Sequence, residues 1–592
     1  MRARTRRNGP GRTPARSVVA STALAAAALL GLAANQLTAS AIPTETPAAR
    51  AAEQPVDRLA PAPGHPPAVP ARVAAPTSAP VPTPTKSPAD ARAAGAAAGR
   101  TLAAQVTVEG VLAHLRAFQR IADANGGNRA SGVGRGFARS SDYVVRHLER
   151  AGYRVTRQKF EFPYFEEERP TVLRRTGPTA RQYRSPADLQ VLSYSGDGKV
   201  EARVHPVDVS LKPPRATTSG CEAADFAGFP RGQIALVQRG SCDFEVKARH
   251  AVAAGAVGIV IFNQGNGTPA ADPDRFETFG GTLQRPFPIP AVGVSYAVGA
   301  ELAASPRARV RIETDTLSET RTTENLLAEL PARSAGPTVM VGAHLDSVPE
   351  GPGINDNGTG SAGVLEVALR YAELAREGKP PNAVRFAWWG AEESGLLGSD
   401  HYVNALTPAQ RRAIALYLNF DMIGSPNYEL GVYDGDRSSG AEDTTAGPAG
   451  SAQIEKLFRD FLTDHGQQTA ASPFDGRSDY GPFIDHGIPA GGMDTGAEGI
   501  KSASAAEKFG GVSGIAFDPC YHHKCDALIR KPDPATDEAF RKLVAAYGSR
   551  LIGNVNVVPL DLVSDAIATA VGRYAYDVSD VVRARASESP AT

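Results

Sequence analysis

The sequence predicts an α/β fold in which a mostly parallel, mixed sheet carries helices on both faces and a small β-rich domain is inserted. Between about Thr323 and Val555, apolar strand patterns such as "TVMVGAHLD" and "AIALYLNFDMIG" alternate with helical patterns such as "TGSAGVLEVALRYAELA". Near-continuous apolar strands between helices are typical of a parallel sheet that is covered on both sides. The region from Leu189 to Ile312 differs, because it has short β-type runs and one helical stretch.

The first 41 residues have the three-part pattern of a secretory signal peptide. "MRARTRRNGPGRTPAR" carries arginines and no acid, "SVVASTALAAAALLGLAA" is apolar, and "ASA" at Ala39 to Ala41 is a small-residue cleavage site. An N-terminal membrane anchor is the alternative, but the apolar run is alanine-rich and short for a span. We therefore expect a secreted protein that keeps no stable membrane span after cleavage.

Residues 42–100 predict a disordered linker, or a pro-segment that is trimmed after export. They hold many prolines and few large apolar side chains, so they cannot form a core. Order is expected from Thr107, where "VEGVLAHLRAFQRIADANGG" has helical spacing and a glycine stop. "SSDYVVRHLERAGYRVTRQKFEF" then predicts a helix, a turn at Gly152 and an alternating strand.

Four cysteines in an exported chain predict disulfide bonds. They form two local pairs, Cys221 with Cys242 and Cys520 with Cys525, which is the most economical of the possible pairings. Zinc binding by thiolates is the alternative, but the pairs lie far apart in sequence and neither has C-x-x-C spacing. The formal net charge is zero, so nothing suggests a nucleic-acid partner.

Polar residues of a few types follow the predicted strands of the main sheet. In open α/β sheets, functional side chains gather beyond the carboxyl ends of the strands. Two histidines and several carboxylates that reach one sheet edge suit divalent metal ions. The residues at these strand ends and in the two loops nearby are His344, Asp346, Asp356, Glu392, Glu393, Asp421, Tyr521 and His522.

The pattern predicts two metal ions that share one carboxylate. Asp356 lies in the glycine-rich loop "PGINDNGTGSAG" and is the expected bridging ligand. Asp346, two residues after His344, is expected to fix the orientation of that imidazole. The remaining expected ligands are His344 with Asp421 for one ion and Glu393 with His522 for the other.

Each of these residues taken alone has an ordinary structural interpretation. A strand-end His or Asp is more often a cap or a surface residue, and adjacent glutamates often begin a helix. Five such positions in order, at strand ends or in glycine-rich or Cys-closed loops, favour the metal site. Because consecutive residues point in different directions, Glu393 can bind metal while Glu392 faces the water between the ions.

At these positions the sequence resembles the secreted bacterial di-zinc aminopeptidases of the leucine aminopeptidase type. They belong to the zinc exopeptidase family that also includes glutamate carboxypeptidase and the transferrin receptor. The matching segments include "GAHLDSV", "WWGAEESGLLGS", "NFDMIGSPN", "FDGRSDYGPF" and "DPCYHHKCD". "NGGNRASG" and "SSDYVVRHLERAGY" resemble the N-terminal portion of that family, which implies a split catalytic domain of the zinc-exopeptidase fold.

The inserted region resembles a protease-associated domain, in "GCEAADF", "GQIALVQRGSCDFEVKARHAVAAGAVGIVIFN" and "IPAVGVS". This resemblance implies a role in substrate access or partner binding rather than in chemistry. The domains expected are a signal peptide (1–41), a linker or pro-segment (42–100), two catalytic segments (101–188 and 316–555), the protease-associated domain (189–315) and a C-terminal tail (556–592).

The resemblance also implies individual roles. Glu392 becomes the general base that activates water, and Tyr521 helps to stabilise the oxyanion. Arg477, in "FDGRSDY", matches an arginine that contacts substrate, although a surface arginine is the commoner interpretation. The expected cofactors are two zinc ions per chain, and nothing in the sequence supports calcium.

The expected function is removal of N-terminal residues, preferably large and apolar, from peptides or proteins by a water that two zinc ions activate. The alternatives on the same scaffold are a carboxypeptidase, a glutaminyl cyclase, or a binding protein without catalysis. A carboxypeptidase needs a cationic pocket for a terminal carboxylate, and a cyclase acts on N-terminal glutamine. The oligomeric state does not follow from the sequence, and a monomer is the expectation.

Overall fold

The computed structural model describes residues 88–588 except 214, 216, 217, 270, 271, 273, 274, 306, 331–335, 379 and 441–444. The predicted signal peptide and most of the predicted linker therefore lie outside the described residues. The structure differs from the linker prediction at its C-terminal end, where helix α1 already begins at Pro88. The reason is local, because α1 is rich in alanine, the best helix former, and a proline is well tolerated at the first helical position.

The structure has the following strands, numbered in chain order. They are β1 (Arg154–Gly177), β2 (Arg181–Gln182), β3 (Leu189–Val191), β4 (Gly198–Pro206), β5 (Ile234–Gln238), β6 (Gly258–Phe262), β7 (Ala291–Val294), β8 (Arg309–Glu329), β9 (Thr338–His344), β10 (Ala383–Trp389), β11 (Ile414–Phe420), β12 (Gly431–Tyr433), β13 (Ala470–Ser472), β14 (Ala490–Asp494), β15 (Leu551–Ile552) and β16 (Val555–Asn556).

The helices connect or cover these strands. They are α1 (Pro88–Ala103), α2 (Val108–Asp123), α3 (Gly136–Arg150), α4 (Phe244–Ala254), α5 (Tyr296–Ala303), α6 (Gly360–Gly378), α7 (Leu397–Ala405), α8 (Pro408–Ala413), α9 (Ser451–Asp464), α10 (Tyr480–Asp485), α11 (Ala503–Phe509), α12 (Asp537–Tyr547), α13 (Val557–Tyr576) and α14 (Ser579–Glu588).

The main sheet is mixed, and its centre is parallel. Its strand order is β13-β12-β14-β11-β9-β10-β8, and β1 lies on the far side of β8. Strands β14, β11, β9 and β10 run parallel to one another, whereas β8 and β12 run antiparallel to their central neighbours. The predicted α/β class with a mostly parallel, mixed sheet is thus confirmed.

Both faces of the main sheet are covered, and alternate residues of one strand show it. Leu416 and Leu418 of β11 belong to the larger core, which α2, α6, α9 and α13 cover. Tyr417, between them, belongs to a second core that includes side chains of α7 and α10. Since every side chain of β11 is buried, the near-continuous apolar pattern follows from this double cover.

The inserted domain is joined to the main sheet by a long two-stranded ribbon. Strands β1 and β8 pair antiparallel from Arg154 with Glu329 to Gly177 with Arg309. One end of the ribbon pairs with β10 in the main sheet. The other end pairs with β4, and the order β4-β5-β6-β7-β3 completes the sheet of the inserted domain.

The C-terminal segment is part of the core rather than a tail. Helix α13 is almost wholly buried, and Val563, Ile567 and Val571 lie in the main core. Helix α1 packs along it so closely that Gly99 and Gly572 are in backbone contact. The predicted boundary at residue 556 therefore cuts through the folded domain, because a buried helix was interpreted as a peripheral one.

Candidate metal centre

The candidate site lies at the carboxyl ends of three parallel strands. Trp389 of β10 pairs with His344 at the end of β9, and Asn419 of β11 pairs with Gly342. This register brings the residues that follow β10 and β11 level with His344. Glu392 and Asp421 consequently face the same imidazole, as the strand-end argument predicts.

His344 is surrounded by carboxylates. Its Nε2 atom lies 3.2 Å from Oδ1 of Asp356, 3.3 Å from Oδ1 of Asp421 and 3.8 Å from Oε2 of Glu392. The side chain of His344 is 1% exposed. His344, Glu392 and Asp421 form one group whose spacing could hold a metal ion, and His344, Asp356 and Glu393 form another.

His522 brings a second imidazole to the other side of Asp356. Its Nε2 atom lies 3.3 Å from Oδ2 of Asp356 and 3.1 Å from Oε2 of Glu393. The two oxygens of Asp356 therefore face different histidines, which is the arrangement expected of a bridging carboxylate. All five predicted ligands meet in one cluster.

The electrostatics of the cluster fit a bound cation. Burial, helped by the charge of Asp356, raises the pKa of Glu393 to about 7. Burial also raises the pKa of Glu392 well above its usual range. Burial alone would lower the pKa of His522, but Asp356 and Glu393 raise it to about 10. Without a cation, the cluster must hold protons to limit the repulsion of its carboxylates.

Ligand atoms of the cluster also lack partners in the described part of the chain. Nε2 of His344, Oδ1 of Asp421 and Oε1 of Glu393 are buried and make no hydrogen bond there. Buried polar atoms are normally satisfied, and imidazole nitrogen with carboxylate oxygen is a common donor set for zinc. The residues present therefore fit zinc.

Asp346 lies behind His344, as predicted, but its contact is partly through the backbone. Nδ1 of His344 is 3.2 Å from the carbonyl oxygen of Asp346 and 3.7 Å from its Oδ1. The same carboxylate accepts a hydrogen bond from the backbone N–H of Glu392 at 3.3 Å. Asp346 thus links the orientation of His344 to the position of the paired glutamates.

Asp526 fixes the loop that carries Asp356. Its Oδ1 accepts the backbone N–H of Asn355 at 2.8 Å and its Oδ2 accepts that of Asp356 at 3.0 Å. Sequence reasoning placed Asp526 only at the end of a matching segment. Its role depends on a fold that brings it beside a loop about 170 residues earlier in the chain.

Arg129 fixes the other side of the same loop. Its side chain is fully buried and donates to the carbonyl oxygens of Leu345, Pro352 and Gly353. Burial lowers its pKa to about 10, against the raising effect of nearby carboxylates such as Asp526. In the sequence Arg129 is marked only by its place in "NGGNRASG", and no local pattern there predicts a role for it.

Three residues at the site have an unusual backbone conformation. Ala391, Met422 and His522 have φ values of 56°, 52° and 58°, a region that residues other than glycine seldom occupy. Each lies directly beside a site carboxylate or is itself a ligand. Such strain is often found at functional sites, where the surrounding structure holds it in place.

The loop of His522 also carries Tyr521, and Arg477 reaches it from the segment between β13 and α10. The disulfide Cys520–Cys525 closes it, and Cys221–Cys242 forms in the insertion, so both predicted pairings are confirmed. Nη2 of Arg477 donates to the hydroxyl of Tyr521 at 3.1 Å, and Nη1 lies 2.9 Å from Oε1 of Glu498. Arg477 and Tyr521 thus stand together at the rim of the cluster.

The tryptophans before the paired glutamates lie beneath the site. Trp388 and Trp389 are fully buried, and their indole N–H groups donate to the carbonyl of Ser361 and the hydroxyl of Tyr417. Ser478 supports the site from another side, because its hydroxyl donates to Oδ2 of Asp421 at 2.6 Å. A cavity of about 330 Å³ opens above these residues, and all five predicted ligands line it together with Glu392.

Comparison with known proteins identifies the family. The model of peptidase family M28 matches residues 325–548, and the model of the PA domain matches residues 205–302. An aminopeptidase of Pseudomonas aeruginosa is 46% identical over 420 residues, which is 71% of this chain and 76% of that protein. The chain belongs to peptidase family M28.

Two other proteins that this M28 peptidase resembles are also named aminopeptidases. The "Probable lipoprotein aminopeptidase LpqL" of Mycobacterium tuberculosis is 40% identical, over 72% of this chain and 81% of that protein. The solved aminopeptidase of Aneurinibacillus sp. strain AM-1 shares the fold with a TM-score of 0.57 and 22% identity, over 80% of this chain and 95% of that one.

At the level of the family, the comparisons confirm the predicted enzyme class, a zinc-dependent aminopeptidase with a PA domain. The range matched to the PA domain contains β5, β6 and β7 of the inserted sheet and begins at the end of β4. Among the described residues, no helix of the M28 peptidase combines the length and apolarity that a membrane crossing requires.

Proposed function

We propose that this chain is a secreted aminopeptidase that uses two zinc ions, with His344, Asp421, Glu393 and His522 as ligands and Asp356 between the ions. The observation that carries the proposal is the position of Asp356, whose two oxygens each face a different histidine at 3.2 and 3.3 Å. Zinc bound there supplies a Lewis acid for the carbonyl of the substrate and lowers the pKa of a water.

Glu392 is the general base in this proposal. It is buried beside His344, and its carboxylate is not needed as a ligand when Asp421 and Asp356 bind on that side. Burial raises its pKa well above the usual range, which suits a group that accepts a proton from water and then returns it to the leaving amine.

Tyr521 and Arg477 complete the machinery at the rim. Tyr521 donates a hydrogen bond from its hydroxyl to the negative charge that develops on the carbonyl oxygen when water attacks the carbonyl carbon. Arg477 holds the Tyr521 ring, since its guanidinium lies 5.9 Å from the ring centroid and bonds to the hydroxyl. Glu498 in turn keeps Arg477 in place.

The charges of the cavity favour an N-terminal amine over a C-terminal carboxylate. Around the cluster, the described cavity wall carries many carboxylates, including Asp475 and Asp494, and Arg477 is its one arginine. A carboxypeptidase needs a cationic recognition site, and Arg477 is already paired with Glu498. Glu392 and Asp421, which both lie beside His344, are proposed to hold the free α-amino group.

The walls of the cavity support the expected preference for large first residues. Met422, Tyr433 and Phe517 line it, and such side chains pack well against leucine, methionine or phenylalanine. Secretion follows from the predicted signal peptide, which lies outside the described residues.

The test is Glu392→Gln in zinc-loaded protein, assayed on leucine p-nitroanilide together with metal content. We expect zinc content to stay near two ions per chain while kcat falls by about a hundredfold or more, because general-base catalysis contributes on that scale. Full activity in Glu392→Gln would remove the base assignment. A blocked peptide that loses only C-terminal residues would instead point to a carboxypeptidase.

A further inference from the structure

The cavity extends from the metal cluster along the sheet edge, beyond the residues used so far. Phe420 of β11 pairs with Met493 of β14, and Gly431 of β12 pairs with Asp494. Asp421, directly after Phe420, is therefore the cross-strand neighbour of Asp494. Glu429, two residues before Gly431, lies on the same face of the next strand.

Carboxylates therefore follow one another from strand to strand, away from the metal cluster. Neighbouring strands are about 4.8 Å apart, so β12 lies about 10 Å from β11 across β14. Glu429 precedes β12 by two residues, which places it farther out along the sheet edge. Both Asp494 and Glu429 line the cavity, together with the rings of Tyr433 and Phe517. The far part of the cavity thus combines aromatic walls with acidic groups.

Glu429 differs from the other acidic residues of this wall because its carboxylate is left unpaired. Asp494 accepts hydrogen bonds from Ser472 and from the backbone N–H of Gly496. Within the part of the chain that the structure describes, the Glu429 side chain makes no hydrogen bond or ion pair.

The nearest lysines do not pair with Glu429, because both of their ammonium groups donate hydrogen bonds to other residues. Lys501 donates to the carbonyl oxygens of Asn427 and Tyr428, and Lys508 donates to that of Thr469. Burial and the charge of Asp494 raise the pKa of Glu429 to about 7, as expected for two carboxylates with no cation between them.

We infer that Glu429, with Asp494 beside it, is a specificity-determining residue that admits lysine and arginine as the first residue of the substrate. This inference rests on the proposed aminopeptidase function. With the α-amino group at Glu392 and Asp421, the side chain of the first residue points along the sheet edge. An extended lysine side chain spans five bonds of about 1.5 Å, enough to carry its ammonium past the rings to the acidic end.

The same walls accept leucine, because the aliphatic stem of lysine and the leucine side chain make similar contacts with aromatic rings. The ammonium adds a charge-assisted hydrogen bond that a neutral residue of similar length cannot make. The inference therefore extends the apolar preference to basic residues and predicts poor use of acidic ones.

The experiment compares zinc-loaded wild type, Glu429→Gln and the control Glu507→Gln, which removes a charge from an exposed position of α11. The substrates are p-nitroanilides of lysine, Nε-acetyl-lysine, norleucine and leucine. We expect wild type to cleave lysine better than Nε-acetyl-lysine. We expect Glu429→Gln to lower kcat/KM for lysine by about tenfold, the size of one lost charged hydrogen bond, with leucine and norleucine unchanged.

The outcomes separate this inference from the proposed function. If wild type cleaves leucine but uses lysine no better than Nε-acetyl-lysine, the inference is wrong and the aminopeptidase proposal stands. An unchanged lysine-to-leucine ratio in Glu429→Gln would equally overturn it. Failure to cleave any of the four substrates would refute the proposed function and this inference together. If Glu429→Gln does not fold, the substrate comparison on wild type alone decides.

Discussion

Replacing Arg129 by methionine should loosen the metal site without touching a ligand. The guanidinium is fully buried and bonds to the carbonyls of Leu345, Pro352 and Gly353. Those carbonyls belong to the segments that carry His344 and Asp356. In Arg129→Met the carbonyls of Leu345 and Pro352 lose their donor, whereas that of Gly353 still accepts the backbone N–H of Gly358 at 3.0 Å.

The size of the effect follows from these contacts. Each buried carbonyl left without a donor costs about 1–3 kcal/mol. The variant also avoids the cost of burying a guanidinium, which the lowered pKa of Arg129 reflects. The net loss of unfolding free energy should therefore be about 3–5 kcal/mol, the range for a broken buried charge network. Because supporting residues tune metal sites, zinc affinity should fall about 10–100-fold.

The assay is a zinc competition titration against a chelator, with denaturant unfolding of the metal-free protein beside it. Arg129→Lys keeps the charge but not the planar fork of donors, so it should fall between wild type and Arg129→Met. Arg139→Met, at an exposed position of α3, is the control and should change neither quantity. Zinc affinity within twofold of wild type in Arg129→Met would refute the reasoning.

Two further predictions concern the packing of α1 and the inserted domain. A Cβ at Gly99 would lie 2.8 Å from the carbonyl oxygen of Thr569, so Gly99→Leu should lower the unfolding free energy by about 1–3 kcal/mol. Thermal unfolding at the same temperature as the exposed control Ala97→Leu would contradict this. Lys247 is buried, and burial lowers its pKa from 10.5 to about 8. Between these values the unfolded chain holds the proton and the folded one does not, so Lys247 adds stability as pH rises from 8 to 10.5. Lys247→Met should lack this rise in denaturant unfolding, and a constant difference from wild type would exclude it.

The fold and the meeting of the candidate ligands at one sheet edge were predictable because they depend on local patterns. Buried strands such as β11 show as apolar runs, and a parallel sheet places their ends together, so His344, Glu392 and Asp421 followed from strand order alone. Asp356 and His522 were added through their glycine-rich and Cys-closed loops. In the structure each of them lies within 4 Å of His344 or Asp356.

The supporting residues were not predictable from such patterns. Arg129, Asp526 and Glu429 act through carbonyls, backbone N–H groups or an open cavity that the tertiary fold supplies. In the sequence they are ordinary charged residues in loops. Helix α13 was misplaced for a related reason, since its burial comes from the main core on one side and from the N-terminal helix α1 on another.

The inserted domain is joined to the main sheet through the β1–β8 ribbon, so closing this ribbon would remove the domain from the chain. Its two strands leave the main sheet side by side, with Phe162 opposite Arg321 and Phe165 opposite Ser318. A short turn placed across one of these pairs would close the ribbon into a simple hairpin and leave the strand register untouched. A shorter ancestor with such a hairpin could thus have gained the additional domain by opening one turn, and an engineer could reverse that step.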